Sequence, residues 1–359
     1  MLTKGDDYPL HQTPEPIAYA GTDRNFYDRY FFNGYGPDGD NFFAIAFGIY
    51  PQLNVADAHL SVLLGGRQVC LHASRLLAGE RLALEVGPIQ IEVLEPLQQL
   101  RIIVTPHEGI SANLTFTGRH FPIEEPRFTR RLGPRSFLDY TRLTQNGRWS
   151  GWFEVDGQRI DVGQHVGTRD RSWGVRPVGM RDPQPVVPEA LPQFFWLWSP
   201  VNFEERSLFF HVNADEHGRP WNVRAVLVGD VGVVQETAHA EMSLDLARPL
   251  RHAAAGLLNA EFETGRVTAR FAPQAKFLMS GIGYGHPEWA HGIWKGALAA
   301  AREELELAAL SPGRPDHLHI QAISRVTLED DRGRHEGLGV LEQLILGPYA
   351  PLGLTGLLT

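Results

Sequence analysis

The stretch RLALEVGPIQIEVLEPLQQLRIIVTPHEGISANLTF, residues 81–116, decides the fold class of this chain. It contains four short runs that are apolar or alternate between apolar and polar residues. Gly or Pro separates each run from the next. The runs are 82–86, 89–94, 100–105 and 112–116. Turn signals at intervals of roughly 8–12 residues are typical of an antiparallel sandwich or barrel. The stretch therefore predicts a series of short antiparallel strands.

The rest of the chain extends this pattern. The 359 residues include 37 Gly and 25 Pro, an excess that favours many turns and short strands. Gly65–Gly66 predicts a hairpin turn, and Asn146–Gly147 and Asp156–Gly157 each predict a type I′ turn. We therefore expect a mostly β protein built from two antiparallel β-barrels or curved sandwiches, because closure removes exposed sheet edges.

The length fits two domains at roughly 100–200 residues each. A Pro-rich linker at 183–192 is the clearest boundary, which gives an N-terminal domain at 1–182 and a C-terminal domain at 193–359. One helix is predicted in the C-terminal half, at 297–310, where ALAAAREELELAAL consists of strong helix formers and Pro312–Gly313 follows.

Composition excludes several classes of partner. The formal net charge is −9 and no Lys/Arg run occurs, so nucleic acid is a poor partner. No apolar run approaches the ~18 residues that a membrane span needs, and the N-terminal stretch has charges and prolines where a signal peptide is apolar. We therefore expect a cytoplasmic protein. Cys70 is the only cysteine and is predicted to be a buried strand residue.

The segment GTRDRSWG, at 167–174, crowds an acid, two cations and an indole near the predicted boundary. Asp170 is the candidate catalytic acid or base. Arg169, Arg171 and Trp173 are candidate substrate contacts, since an indole can stack on a guanidinium or an apolar ligand. The alternative is a structural salt bridge beneath a packed tryptophan.

The segment GIGYGHPEWAHGIWKG, at 281–296, supplies polar and aromatic side chains in a Gly-rich stretch. Tyr284 and His286 are candidate proton donors or acceptors, and Trp289 and His291 are candidate substrate contacts. The spacing of His286 and His291 does not suit a metal site on a helix face, and no third ligand is evident nearby. The alternative is a tight loop whose aromatic residues plug the end of a barrel.

Two further segments complete the candidate site. Glu342 lies in a strongly apolar strand, and in a dry cavity its pKa would rise enough for a general acid. Pairing with a cation would make it structural instead. In QFFWLWSP, the alternation of Trp196 and Trp198 places both on one face, as in an aromatic cavity wall or a core.

The motifs of common cofactors are missing from the sequence. It has no Gly-rich phosphate loop, no nucleophile elbow and no paired-cysteine metal site. We therefore expect no nucleotide, no metal and no other cofactor.

Asp170, Trp173 and Gly174 form an Asp-x-x-Trp-Gly element that resembles one in the carotenoid-hydratase-like family, whose relatives include hydroxyneurosporene synthase and attachment-protein-like chains. GYGHPEWAHG at 283–292 and GVLEQLILGP at 339–348 resemble a bacterial branch of that group. The resemblance implies tandem lipocalin-like (calycin-like) domains and acid–base or conformational catalysis on a large apolar molecule. Arg171 stands where carotenoid hydratases often have His, and Arg cannot shuttle a proton at neutral pH. We expect it to bind a substrate carboxylate or carbonyl instead.

These features support two main hypotheses, and a protein-interaction role, which a large apolar surface patch would indicate, is a third possibility. The first is a cofactor-independent lyase or hydratase, isomerase or cyclase that acts on a terpenoid, steroid or polyketide-like molecule near the domain junction. Asp170 or Glu342 would exchange a proton with His286 or Tyr284 as partner. The second is a non-catalytic carrier of an apolar ligand, because the fold alone does not decide function. The density of titratable groups favours the enzyme.

Overall fold

Antiparallel strands make up nearly all regular structure in the computed structural model, which describes residues 2–9, 22–39, 41–181, 192–232 and 234–358. The strands are β1 (Phe26–Tyr35), β2 (Asn41–Tyr50), β3 (Val55–Leu64), β4 (Arg67–Leu76), β5 (Glu85–Val86), β6 (Ile89–Glu95), β7 (Gln99–His107), β8 (Ile110–Gly118), β9 (Ile123–Glu124), β10 (Phe128–Leu132), β11 (Arg135–Val155), β12 (Gln158–Asp161), β13 (Val166–Val175), β14 (Phe194–Asn202), β15 (Arg206–Ala214), β16 (Pro220–Gly229), β17 (Val234–Thr237), β18 (Ala240–Leu246), β19 (Ala253–Phe262), β20 (Gly265–Leu278), β21 (Leu298–Glu306), β22 (Ile320–Asp330) and β23 (Gly333–Leu346). Short 3-10 helices lie at Lys4–Asp7, Pro51–Leu53, Met279–Ile282, Leu307–Ala309, Pro315–His317 and Ala350–Leu352.

The chain divides into two compact units that are not continuous in sequence. Unit 1 comprises Met1–Gly36, Asn41–Glu189 and Gly281–Leu305, and unit 2 comprises Pro37–Asp40, Ala190–Ser280 and Glu306–Thr359. The division near residue 190 lies close to the expected boundary, but unit 1 also takes a segment from the C-terminal half. Most of the Pro-rich linker predicted at 183–192 lies outside the described residues.

Unit 1 is a sheet that curls into a nearly closed barrel. Its strand order is β21-β4-β3-β2-β1-β13-β11-β8-β7-β6-β5, and β9, β10 and β12 pair with β11. The curl brings β5 back against β3 and β4. Apolar side chains from alternate positions fill the interior, so the first barrel is a packed core.

Unit 2 is a second antiparallel sheet with the order β17-β16-β15-β14-β23-β22-β20-β19-β18, and it forms a half-barrel. The expected fold class of two curved antiparallel β units is therefore confirmed. Among the described residues, no helix has the length and apolar character needed to cross a bilayer.

The helix predicted at 297–310 is wrong. Residues Leu298–Glu306 form β21, which pairs with β4 at the edge of the unit 1 sheet, and a 3-10 turn follows. Ala300 packs against the apolar core of unit 1. Pairing satisfies the exposed backbone groups of the β4 edge, and this tertiary interaction outweighs the helix propensity of Ala, Leu and Glu.

The predicted turns have different outcomes. Gly65–Gly66 joins β3 to β4 and Asp156–Gly157 joins β11 to β12, with positive φ at all four residues, as a type I′ turn requires. Asn146–Gly147 is not a turn, because it lies inside the long strand β11. The ring of Phe116 lies only 2.2 Å from where a Cβ on Gly147 would be, so close packing explains this glycine.

Trp149 organises the aromatic core of unit 1. Its indole lies edge-to-face against Phe43, Phe116 and Phe32, with ring centroids 5.0, 5.2 and 6.0 Å away. Its Nε1–H donates to the carbonyl of Asn33 at 2.9 Å. The indole is therefore both packed and hydrogen-bonded, as buried tryptophans usually are.

We predict that Trp149→Ala lowers the free energy of unfolding of unit 1 by about 3–5 kcal/mol, because it leaves a cavity and an unpaired carbonyl. The matched control is Trp294→Ala, since Trp294 is 65% exposed. This change should alter stability by no more than about 0.5 kcal/mol. Urea denaturation followed by far-UV circular dichroism measures both, and equal losses would contradict the proposed core.

Candidate functional site

The β3–β4 hairpin places two histidines opposite each other. With the turn at Gly65–Gly66, the register pairs His59 directly with His72. Leu60 and Leu71, which alternate with them, point into the apolar core of unit 1. The two imidazoles therefore lie on the other face of the sheet. Both are fully buried there.

The segment 281–305, also part of unit 1, covers this face. Its Gly292 N–H donates to the carboxylate of Asp57 at 2.7 Å, and Ser74 donates to the Ile293 carbonyl at 3.2 Å. The backbone of Leu76 then donates to the Ala297 carbonyl at 3.1 Å, just before β21. The Gly-rich stretch singled out in the sequence is thus tied to β3 and β4 along its length.

Glycine at position 283 permits this close approach. Gly283 has φ +92°, and an added Cβ would lie 2.8 Å from Nε2 of His291 and 3.0 Å from Nε2 of His59. Any larger residue would be strained and would displace both rings. The glycine content of the segment therefore serves packing against the histidines.

One carboxylate joins the covering segment to the hairpin. Oε1 of Glu303, in β21, accepts from His286 Nε2 at 2.7 Å and from His72 Nε2 at 3.1 Å. The Glu303 side chain is 31% exposed, whereas the two imidazoles are buried. Glu303 is therefore the solvent-facing member of the cluster.

The hydrogen bonds fix the tautomers of His286, His72 and His59. His286 Nδ1 accepts from the backbone N–H groups of Glu288 and Trp289 at 3.0 and 2.8 Å, so its Nε2 carries the proton that Glu303 accepts. His72 also donates from Nε2, which leaves its Nδ1 as an acceptor when the ring is neutral. Nδ1 of His59 lies 2.8 Å away and is the donor to it.

Burial and charge set the pKa values of this cluster. Burial lowers the pKa of His72 to about 4, despite the hydrogen bond to Glu303, so the ring is neutral at pH 7. Burial raises the pKa of Glu303, but hydrogen bonds from His286 and His72 outweigh that effect and hold it at about 2. Glu303 is therefore an ionised acceptor shared by two imidazole N–H donors.

The inner end of the chain is a basic nitrogen. With Nδ1 of His59 donating to His72, its Nε2 carries a lone pair, and in the described structure this buried atom has no hydrogen-bond partner. The nearest carboxylate oxygen is Oδ1 of Asp57 at 3.8 Å. The two Asp57 oxygens accept from the Tyr50 hydroxyl at 3.0 Å and from Gly292 N–H. His59 Nε2 is thus a buried base, oriented by His72.

Two predicted residues of the covering segment lie beside this base. The rings of Tyr284 and His291 are in edge-to-face contact, with centroids 4.5 Å apart, and His291 is 5.9 Å from His59. Nε2 of His291 donates to the Ile282 carbonyl at 2.8 Å, and its Nδ1 accepts from Arg176 at 3.1 Å. Burial lowers the pKa of His291 well below its usual value, and the nearby arginines lower it further.

Trp289 covers the outer side of the cluster. Its indole stacks on His72, with ring centroids 5.6 Å apart and planes 13° from parallel. Lys295 also lies over the Trp289 ring, with Nζ 4.9 Å from the centroid. Tyr284, His286, Trp289 and His291 are therefore brought together, on the same face as His59 and His72.

Asp170 lies in unit 1 but outside the hydrogen-bonded histidine chain. Its carboxylate is 4.0 Å from Arg142, which is held by Glu125 at 2.6 Å. The charge of Asp170 contributes to raising the pKa of Tyr27 to about 12, although burial is the main cause. Arg176, which lies 4.4 Å from the centre of the Tyr27 ring, and Tyr284 act on the pKa of the same tyrosine.

Arg169 and Arg171 alternate with Asp170 along β13 and are engaged elsewhere. Arg169 forms an ion pair with Asp7, and Arg171 forms one with Asp28 at 2.6 Å. All four side chains are buried. The guanidinium of Arg171 also lies 4.0 Å from the centre of the Tyr30 ring. These contacts are those of internal ion pairs. Trp173, further along the strand, is partly exposed.

Glu342, Trp196 and Trp198 belong to unit 2. Glu342 accepts from His319 at 2.8 Å, from Gln321 at 2.6 Å and from Trp196 Nε1 at 3.2 Å. Burial raises its pKa, but these donors hold it below the usual value. Glu342 therefore lacks the raised pKa that a dry cavity would have given it. Trp198 is 2% exposed and pairs with Glu342 across β14 and β23.

A metal-binding interpretation of the unit 1 cluster fits its chemistry poorly. Ligand atoms of Cys70, His72 and Glu303 lie within 4.8 Å of one another. However, burial raises the pKa of the Cys70 thiol to about 12, and Ser61 is its hydrogen-bond partner at 3.2 Å. The thiolate is the form that binds metal, and it is strongly disfavoured here. The nitrogen and oxygen atoms are already committed to the histidine chain.

Comparison with known proteins places the chain in a family. A family model matches residues 2–355. The chain belongs to this family of unknown function, DUF8625. No curated protein matches the DUF8625 chain.

Solved structures with the same fold are distant in sequence. An AttH protein (NE1406) from Nitrosomonas europaea matches with a TM-score of 0.53 and 14% identity, over 94% of the DUF8625 chain and 98% of the other. CghA, solved with Sch210972, matches with a TM-score of 0.51 and 10% identity, over 94% and 97% of the two chains. At these identities the likeness establishes the fold.

The sequence did not identify His59, His72, Glu303, Asp57 and Arg176 as members of the cluster, nor Arg29, whose Cζ lies 4.5 Å from the centroid of the Tyr284 ring. The hairpin signal at Gly65–Gly66 was sufficient to pair His59 with His72, because a two-residue turn fixes the register. Glu303 was not identified because it lies in the segment 297–310, which was wrongly predicted to be a helix. The two arginines carried no local signal, since they approach the covering segment from β1 and from beyond β13.

We predict that stability becomes less pH-dependent in His72→Gln. The unfolded His has a pKa near 6.5, above the folded value of about 4, so protonation favours the unfolded state as the pH falls through this range. Wild-type stability should drop by up to about 3 kcal/mol from this residue, and the variant should lack that drop. Urea denaturation at a series of pH values measures it.

The control is His217→Gln, since the His217 side chain is 64% exposed. This variant should follow the wild-type pH dependence. The same pH dependence in His72→Gln and wild type would contradict a neutral, buried His72.

Proposed function

We propose that this chain is a cofactor-independent acid–base enzyme of the hydratase, isomerase or cyclase kind, acting at the histidine cluster of unit 1. The single observation that carries the proposal is the hydrogen-bonded chain His59–His72–Glu303–His286, which ends in an unpartnered basic nitrogen. A base oriented by a second group, itself oriented by a carboxylate, is the arrangement that proton-transfer enzymes use.

In this proposal, His59 Nε2 removes a proton from the substrate. The imidazole can then pass its Nδ1 proton to Nδ1 of His72, and His72 can pass its Nε2 proton to Glu303, which exchanges with solvent. Each transfer follows a hydrogen bond of 2.8 or 3.1 Å. His72, Glu303 and His286 are therefore positioning residues.

Tyr284 is the proposed proton donor to the substrate. It is partly exposed and lies against His291, on the side of the base. Asp170 is proposed to act indirectly, because its charge raises the pKa of Tyr27. The aromatic rings of this region give the site an apolar character, which supports a terpenoid, steroid or polyketide-like substrate.

We predict that Glu303→Gln lowers turnover by about 10²–10⁴-fold, the range typical for loss of general acid–base function. Glu303 raises the pKa of His72, so removal of the negative charge lowers that pKa, and the part of the low-pH limb of the kcat/KM profile that reports His72 should move to lower pH. The substrate is first identified by organic extraction and mass spectrometry of the protein purified from its own host. Conversion is then followed in D₂O by deuterium incorporation.

The control is Glu304→Gln. Glu304 neighbours Glu303 but pairs with Arg302 and Arg67 at the surface, at 2.7 and 3.0 Å. It should keep wild-type turnover and pH profile. Full turnover in Glu303→Gln would remove the cluster from catalysis.

A carrier function is the second candidate, and one observation favours it. Unit 1 has a cavity of about 370 Å³ lined by Tyr8, Leu82, Ala83, Leu84, Glu85, Gln90, Ile91 and Val93. The carrier would be favoured by a compound that is extracted in stoichiometric amount and is never converted. This compound should copurify with Glu303→Gln but not with Leu84→Trp, which fills the cavity.

A further inference from the structure

Two cations of unit 1 converge on one aromatic ring of the covering segment. Arg29, in β1, has its Cζ 4.5 Å from the centroid of the Tyr284 ring, and Arg176, just after β13, has its Cζ 5.3 Å away. Arg29 is 1% exposed. A buried guanidinium of this kind is costly unless a carboxylate or another anion lies beside it.

The contacts of Arg29 and Arg176 lack such an anion. Arg29 donates to the Ile282 carbonyl at 3.5 Å, and Arg176 bonds to His291 and packs over Tyr27, 4.4 Å from the ring centre. Nε of each arginine is buried without a hydrogen-bond partner. In the described part of the chain, neither guanidinium lies within ion-pair distance of a carboxylate.

Other buried arginines of unit 1 are paired. Arg142, Arg169 and Arg171 each contact an acidic residue, namely Glu125, Asp7 and Asp28. The chain thus neutralises its internal arginines where they serve the fold. Arg29 and Arg176 differ, because neither has a carboxylate beside it in the described residues. Both lie against Tyr284 of the covering segment, which also covers the basic nitrogen of His59.

The charges of the two arginines act on His291, which lies beside His59. Arg29 and Arg176 both contribute, after burial, to lowering the pKa of His291. His291 in turn lies beside His59 and Tyr284. The oxygens of Asp57, the nearest acid to His59, are already occupied by Tyr50 and Gly292.

We propose that Arg29 and Arg176 bind an anionic oxygen of an otherwise apolar organic ligand, a carboxylate or an enolate, beside His59. This inference rests on the proposed function and names its substrate class. The unpaired Nε–H groups supply two donors, and guanidinium groups recognise such oxygens well. The rings of Tyr27 and Tyr284 supply apolar walls. The partial exposure of Arg176 and Tyr284 gives the anion a route in.

The test compares 3-phenylpropanoate with 3-phenylpropan-1-ol, which differ mainly in the anionic group. The carboxylate should raise the thermal unfolding midpoint of the full-length protein by several degrees at saturation, and the alcohol should not. Arg29→Met and Arg176→Met should each abolish the shift. Without ligand, Arg29→Met should have an unchanged or higher midpoint, because an unpaired buried charge is removed.

The matched control is Arg159→Met. Arg159 also lies over an aromatic ring of unit 1, 3.8 Å from the centre of Trp152, but its side chain is 57% exposed and paired with Glu154. It should keep the wild-type shift. Glu303→Gln should keep it too, so that loss of turnover and loss of anion binding are separate results.

Three results with the two phenyl ligands and the variants would overturn the inference, and a fourth concerns phosphate. The first is an equal rise of the unfolding midpoint with 3-phenylpropanoate and with 3-phenylpropan-1-ol. The second is a rise with 3-phenylpropanoate that persists in both arginine variants. The third is a large fall in the ligand-free midpoint of Arg29→Met, which would indicate that Arg29 is structural. The third ligand to be tested is inorganic phosphate. A shift with phosphate equal to that with 3-phenylpropanoate would show a site for small inorganic anions and would overturn the substrate class.

Discussion

The hydrogen bonds from two imidazoles to the carboxylate of Glu303 hold the outer face of unit 1 together. One imidazole comes from the β3–β4 hairpin and the other from the segment that covers it. Because each imidazole must donate to the ionised carboxylate, the tautomers of His72 and His286 are fixed, and so is that of His59. The shared acceptor thereby links β21, the Gly-rich segment and the β3–β4 hairpin, and it sets which nitrogen of His59 is free to accept a proton.

Unit 1 contains two kinds of buried arginine, which differ in whether a carboxylate lies beside them. Arg169 and Arg171 meet Asp7 and Asp28, so their charges are compensated inside the protein. Arg29 lacks such a carboxylate in the described structure and carries an unsatisfied Nε–H. Uncompensated buried charge lowers stability, and an anion bound beside Arg29 would remove that cost.

The sequence predicted the β class because period-2 patterns and turn residues are local signals. It failed where tertiary pairing overrode local preference: residues 298–306 have helical composition, yet they complete the edge of β4. Asp170 was singled out from its neighbours in sequence, but Arg169 and Arg171 point to the opposite face of β13. The cluster around His59 joins residues more than 200 positions apart, a distance that no local pattern spans.

The protonation states of the histidine chain test this account most directly. Long-range ¹H–¹⁵N correlation spectra of ¹⁵N-histidine-labelled protein at pH 7 report them, with His59→Gln, His72→Gln and His286→Gln variants for assignment. We predict neutral rings, with the proton on Nε2 in His72 and His286 and on Nδ1 in His59. A doubly protonated His72, or a proton on Nδ1 of His286, would contradict the hydrogen-bonded chain and the proton path built on it.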